Sequence, residues 1–209
     1  MTVLIALKDE KGIHLAADSQ TTQGNKKFSR TKRSKIITKK FKIVDGYGEI
    51  IDKDQMYIGI AGYTFLNEYL HYGLDFPDMK ENEKFEEYLS RKLLPKITKK
   101  LTDNQLVQVD SQEIDTESLF MIIYNDKIYY ISSNLSFCGL EEDYCCFGSG
   151  DEVALGVLYA TRNNPNSFKR CKLAIEACNY HTCYVDGNMH YMYIENNKIK
   201  KEDTYHGDK

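Results

Sequence analysis

No window of the 209-residue sequence approaches the run of about 18 uninterrupted apolar residues that a membrane-spanning helix needs. The opening stretch, Met1 to Lys8, is too short and wrongly flanked to act as a secretory signal, so a cytoplasmic protein is expected. Neither sign of charge dominates: 28 Lys and Arg stand against 31 Asp and Glu, a net charge of -3. That balance removes the global electrostatic reason to expect nucleic acid or an anionic membrane surface as a partner. Internal repeats and low-complexity tracts are lacking too. The six cysteines (Cys138, Cys145, Cys146, Cys171, Cys178 and Cys183) come without an export signal, so they read as reduced, mostly buried thiols and not as a disulfide framework. Cys178, His181 and Cys183 lack the second ligand pair of a zinc pattern, and Cys183 has no His base at a diagnostic spacing. No metal or other cofactor is expected.

What is present is an ordinary globular composition, 42% hydrophobic and 28% charged. It suits one domain over residues 1–209, ending in a polar tail from about 198. Val3 to Leu7 and Ile13 to Ala17 flank the turn Asp9 to Gly12, a β-hairpin signal. Asn25 to Lys40 is a basic run that reads as a solvated loop or exposed hairpin, with a nucleic-acid patch as the sharper alternative. Phe41 to Val44 and Met56 to Gly62 suggest two more strands. The period then changes: Phe65, Tyr69 and Tyr72 fit one helical face, and Phe85, Leu89, Leu93, Ile97 and Leu101 recur every four residues. Pro95 should kink or split that second helix. Leu119 to Tyr124 and Lys127 to Ser132 flank Asn125-Asp126 as another hairpin, two helices follow around Val153 to Leu158 and Phe168 to Cys178, and Met189 to Ile194 reads as a last strand. Strands in blocks and helices in blocks predict an α+β fold, an antiparallel sheet core covered by helices.

The chemistry points to Thr2, directly behind Met1. Removal of Met1 by an aminopeptidase would place a β-hydroxyl and an α-amino group on one residue. An α-amine, with a reference pKa of about 7.7–8.0, can take the hydroxyl's proton through a water, making one residue both nucleophile and base. A nearby buried ammonium keeps such an amine unprotonated, and that ammonium needs a carboxylate partner. Asp18, where a buried strand meets a loop, and a lysine of the basic run can form the pair. Gly62, ending an apolar strand, offers an unobstructed N–H for an oxyanion, and Ser149, between two glycines, can contact the amine or a bound water. Plainer readings stand beside these: Asp18 as a turn former, Gly62 as a strand-end kink, Ser149 as a helix N-cap.

Thr2-Val3-Leu4-Ile5-Ala6-Leu7, Gly12 to Gln20, Ile58-Gly59-Ile60-Ala61-Gly62 and Phe147-Gly148-Ser149-Gly150 resemble the β subunits of proteasomes and the bacterial ring protease HslV. The Met-Thr start is HslV-like, and Thr2 and Asp18 keep the family's separation between nucleophile and acid. The resemblance implies a four-layer αββα N-terminal-nucleophile sandwich and a threonine peptidase acting on polypeptides. It also implies a homo-oligomeric ring, with an ATPase regulator. By matching motifs, it assigns Thr2 as nucleophile, Asp18 as acid, Gly62 as oxyanion amide and Ser149 as supporting serine. Lys39-Lys40-Phe41-Lys42-Ile43 resembles the family's lysine-bearing strand, and Lys39 shares its face with Phe41 and Ile43; Lys39 is therefore the expected lysine, with Lys40 and Lys35 as rivals. The sequence departs from the family in placing Thr182 and Val185 where an Asp and a Ser are usual, in Tyr63 after Gly62, and in a longer segment between Asp18 and Lys39. Two other readings follow: an inert ring or scaffold subunit that retains Met1, and an amidase acting on a small amide. Ile60, beside the oxyanion position, hints at an apolar floor to the substrate pocket.

Overall fold

The computed structural model describes residues 2–23, 26–29, 34–110 and 113–206. Met1, Asn25, part of the basic run (Arg30, Lys32 and Arg33) and the last three residues of the tail lie outside the described residues. The strands are β1 (Leu4–Lys8), β2 (Ile13–Asp18), β3 (Gln20–Gln23), β4 (Lys26–Ser29), β5 (Ile36–Val44), β6 (Ile50–Ala61), β7 (Met79–Lys80), β8 (Gln108–Asp110), β9 (Glu113–Asp115), β10 (Leu119–Tyr124), β11 (Lys127–Ile131), β12 (Phe137–Leu140), β13 (Tyr144–Phe147), β14 (Met189–Glu195) and β15 (Lys198–Tyr205). The helices are α1 (Thr64–Glu68), continued by a π turn over Tyr69–Gly73; α2 (Phe85–Tyr88), running through a π turn at Leu89–Leu93 into α3 (Leu94–Asp103); α4 (Asp151–Ala160); and α5 (Ser167–His181).

Two sheets carry the fold. One has the order β13-β1-β2-β14-β15 and the other β12-β11-β10-β6-β5-β7. Strand period explains why they stack. In β1, Leu4 and Ala6 point between the sheets, where they meet Leu15, Tyr57, Met121 and Met192, while Ile5 and Leu7 point outward to Leu158, Cys171 and Ile175 of α4 and α5. Because both faces of β1 are covered, its sequence is a continuous apolar run and not an alternation. In the other sheet, Ile37, Phe41, Met56 and Ile58 face Leu66, Leu89, Ile97 and Leu101 of the helical layer formed by α1 to α3. The result is an αββα sandwich, as expected.

Among the described residues, two hairpin turns use left-handed backbone at both central residues. Asn125 (φ 47°) and Asp126 (φ 59°) join β10 to β11 as read from the sequence, matching the strand twist as type I′ turns do. Asn196 (φ 50°) and Asn197 (φ 54°) do the same between β14 and β15. The polar tail is thus a strand as far as Tyr205, exposed but paired: Lys198 to Tyr205 runs beside β14 along its length. It is exposed because it is an edge, and its charged residues suit an edge that must not recruit other strands. Pro95 marks a change of helical winding and not a break: it stands in the first turn of α3 directly after the π turn, and the backbone at Leu93 and Leu94 stays helical.

Candidate active site

The five segments singled out by sequence end at the same edge of the sandwich. Thr2 precedes β1, Asp18 closes β2, Gly62 follows β6, Ser149 follows β13, and a lysine lies just ahead of β5. A cleft of about 300 Å³ opens there, lined by Thr2, Gln20, Thr22, Lys35, Gly62 and Glu117 among others.

Asp18 is fully buried, 1% exposed. Its Oδ1 accepts from the Val3 N–H at 2.9 Å and from Lys35 Nζ at 2.7 Å, and its Oδ2 accepts from the Gln20 N–H at 3.1 Å. Burial pushes this carboxyl above its usual range, and the Lys35 ammonium and the two backbone N–H groups pull against that. All three partners donate to it, which favours the carboxylate form over the acid. Asp18 is thus more than a turn former. It ties the base of β1 to the start of β5.

Lys35, not Lys39, is the lysine that meets Asp18. Lys39 does share a face with Phe41, as its position in the strand requires, but that face turns to the outer helical layer. Its Nζ donates to the carbonyl of His71 at 3.0 Å and lies 5.2 Å from the centre of the Phe76 ring. Lys40 is exposed on the strand's other face. The signal for Lys35 was its place directly ahead of Ile36-Ile37, where consecutive residues are buried on both faces and the strand enters the sandwich.

Ser149 is not a helix cap either. Gly150 occupies that position at the start of α4, and Ser149 Oγ instead accepts from the Thr2 N–H at 3.1 Å and faces the Thr2 carbonyl at 3.4 Å. Gly148 permits this approach: at φ 101°, a Cβ there would stand 2.3 Å from the Thr2 carbonyl oxygen. Thr2 itself is 4% exposed on the cleft wall.

Gly62 also needs to be glycine. Its φ is 135°, and a Cβ would lie 2.4 Å from Ser118 Oγ and 2.7 Å from the Glu117 carbonyl oxygen. Ser118, which no motif had flagged, accepts from the Tyr63 N–H at 3.0 Å and so fixes the turn that carries Gly62 into the cleft. Gly62→Ala is expected to cost about 1–3 kcal/mol from backbone strain alone and more from displacing Ser118. A urea titration that finds the variant as stable as the parent contradicts this reading of the turn.

The remaining walls mix polar and apolar surface. Ile60 does reach the cleft, but Gln20, Thr21, Thr22, Thr64, Asn67 and Glu117 surround it. Tyr63 stands half-exposed at the mouth and narrows it, its phenol held above its ordinary range by a hydrogen bond to Glu117. Val185 is fully buried, and its Cγ2 would lie 3.0 Å from a Cβ at Gly150. Thr182 caps the C-terminal end of α5, its buried hydroxyl without a partner among the described residues. Burial pushes the thiols of Cys145 and Cys171 up to about 12 and that of Cys178 to about 11, which suits packing and not nucleophilic attack.

No protein-family model matches the sequence, and no curated protein matches it. The fold does have matches among solved structures. Thiobacillus denitrificans BPH, a bacterial proteasome homologue solved in complex with epoxomicin, superposes with a TM-score of 0.70 at 17% identity, covering 93% of this chain and 98% of its own. Anbu from Hyphomicrobium sp. strain MC1 superposes with a TM-score of 0.64 at 12% identity, covering 99% of this chain and 88% of its own. The chain therefore has the fold of the proteasome-like N-terminal-nucleophile hydrolases.

Proposed function

We propose that this chain is a proteasome-like threonine peptidase whose nucleophile is Thr2, made N-terminal by removal of Met1. The observation that carries this reading is that Thr2, Lys35 and Gly62 line one cleft, with Asp18 bound to Lys35 and Ser149 to the Thr2 N–H, in a fold shared with proteasome-like hydrolases. Thr2 Oγ attacks the scissile carbonyl, and its proton passes through a water to the α-amine. The Gly62 N–H receives the oxyanion. Collapse of the tetrahedral intermediate breaks the C–N bond, the leaving amine takes the proton, and an ester on Thr2 remains. Water then attacks that ester, releases the acid and regenerates the hydroxyl. The Lys35 ammonium disfavours a second positive charge at the α-amine, Asp18 keeps Lys35 charged, and Ser149 Oγ holds the Thr2 nitrogen.

We also propose a homo-oligomeric ring that takes unfolded polypeptide from an ATPase regulator. Leu155 and Tyr159 of α4 and Leu173 and Tyr180 of α5 are exposed apolar side chains on the helical face, which supports assembly through that layer. Native mass measurement of the purified protein tests the ring, and a monomer at working concentration contradicts it.

One observation favours a second reading. Val185 is apolar and buried where the family carries a hydroxyl, so proton handling near Thr2 has one polar group fewer, as suits an inert scaffold subunit. An electrophilic peptide probe separates the two, with epoxomicin, held by the Thiobacillus protein, as competitor. The peptidase forms an adduct mapped to Thr2 and blocked by the competitor; a scaffold forms none.

A further inference from the structure

Lys35 reaches the active site from just outside β5, so something other than the strand ladder must hold it. Its carbonyl accepts from the Ile60 N–H at 3.0 Å, which anchors the backbone on the β6 side. The neighbouring Ser34 supplies a different kind of anchor. Ser34 Oγ accepts from the Ile36 N–H at 2.9 Å and lies 2.7 Å from His190 Nδ1. His190 belongs to β14 in the opposite sheet, paired with Ala17, next to the pair Met189 and Asp18. Its Nε2 lies 3.2 Å from Glu202 Oε1 on β15.

The proton positions follow from what each group can do. A carboxylate only accepts, so Nε2 carries the hydrogen and donates to Glu202. Nδ1 is then an acceptor, and it takes the hydroxyl hydrogen of Ser34. Burial holds the imidazole below its ordinary range and so in this neutral form, with the Glu202 carboxylate opposing. Around this chain lies a second cavity of about 310 Å³, lined by Ser34 and Glu202 with Glu68 and His71 facing them from α1 and its π turn. Asn67 lines both this cavity and the active-site cleft, so Ser34 faces a space that adjoins the cleft.

We infer that His190 is a positioning residue: through Ser34 it latches the segment carrying Lys35 to the opposite sheet, and so sets the ammonium against Asp18. The catalytic meaning of the latch rests on the threonine-peptidase reading, but its geometry can be tested without activity. The side-chain amines of the folded, full-length protein are labelled with acetic anhydride under limiting conditions, and the rate at each lysine is read by peptide mass spectrometry. Ser34→Ala and His190→Leu both break the Ser34–His190 hydrogen bond, the first also losing the bond from the Ile36 N–H and the second the contact with Glu202, and each should raise the labelling rate of Lys35 by about five-fold, with Lys39 as the unchanged internal control. Combining them should give no further increase, because both break the same contact. His190→Asn, which can offer an acceptor near the Nδ1 position, should restore slow labelling. Ser34→Ala deletes a single oxygen and keeps the test valid if His190→Leu fails to fold. Unchanged labelling of Lys35 in Ser34→Ala, or an equal rise at Lys35 and Lys39, overturns the latch. The Thr2 adduct is measured in the same samples. Labelling that shifts as expected in a protein whose parent takes no adduct upholds the latch and removes the peptidase reading.

Discussion

Lys35→Met is expected to destabilise the protein by about 3–5 kcal/mol and to abolish reaction of Thr2 with an electrophilic peptide. The loss of stability follows from geometry: the Asp18 carboxylate is 1% exposed, and removing the ammonium 2.7 Å away leaves a buried charge without its counter-charge. The loss of reactivity follows from the α-amine, which without a neighbouring positive charge holds its own proton more tightly. Lys39→Met should do neither. It forfeits one hydrogen bond to the His71 carbonyl and a contact with the Phe76 ring, together about 1 kcal/mol. A double-mutant cycle sharpens the comparison, since Asp18→Asn with Lys35→Met removes both charges and should cost less than the two changes summed. Urea titrations of the parent and the four variants decide it. Equal losses for Lys35→Met and Lys39→Met would contradict the assignment of the pair.

Thr2→Ala is expected to lower adduct formation and peptide hydrolysis by at least about 10³-fold, because no other hydroxyl or thiol carries its own base. The contacts with Ser149 and Gly150 use the Thr2 backbone and survive in the variant. Thr2→Ser keeps the hydroxyl and the amine and should retain activity. Steady-state hydrolysis of a peptide substrate, with the adduct followed by intact mass, reads both variants. Hydrolysis that persists in Thr2→Ala would place the nucleophile elsewhere.

Much of the fold was written in local pattern. The β10–β11 hairpin was legible because Asn125-Asp126 is a turn signal between two apolar runs, and α5 because Phe168, Cys171, Ile175 and Cys178 recur at helical spacing. β15 was not, since an edge strand needs no apolar face: Lys198 to Tyr205 gains its place from hydrogen bonds to β14, which composition does not register. Even so, Asn196-Asn197 was a visible turn signal ahead of it. β12 and β13 are only four residues each and were hidden by the same economy. At the site, Thr2, Asp18, Gly62 and Ser149 were legible because their neighbours are short motifs, and the structure brings all four to one edge. The lysine was not. Alternation correctly grouped Lys39 with Phe41, but period alone cannot say which of two buried faces looks toward the cleft. Burial on both faces at Ile36 and Ile37 marks the point of entry, and that requires knowing the sandwich has two covered sheets.

The central claim is that the mature chain begins with Thr2, its α-amine within the reach of the Asp18–Lys35 pair. Intact mass of the protein purified from cells, with its N-terminal peptide sequenced by fragmentation, tests this most directly. The account predicts a chain lighter by one methionine residue and an N-terminal peptide beginning Thr2-Val3-Leu4. A chain that keeps Met1 throughout, with the Thr2 nitrogen locked in a peptide bond, would contradict it.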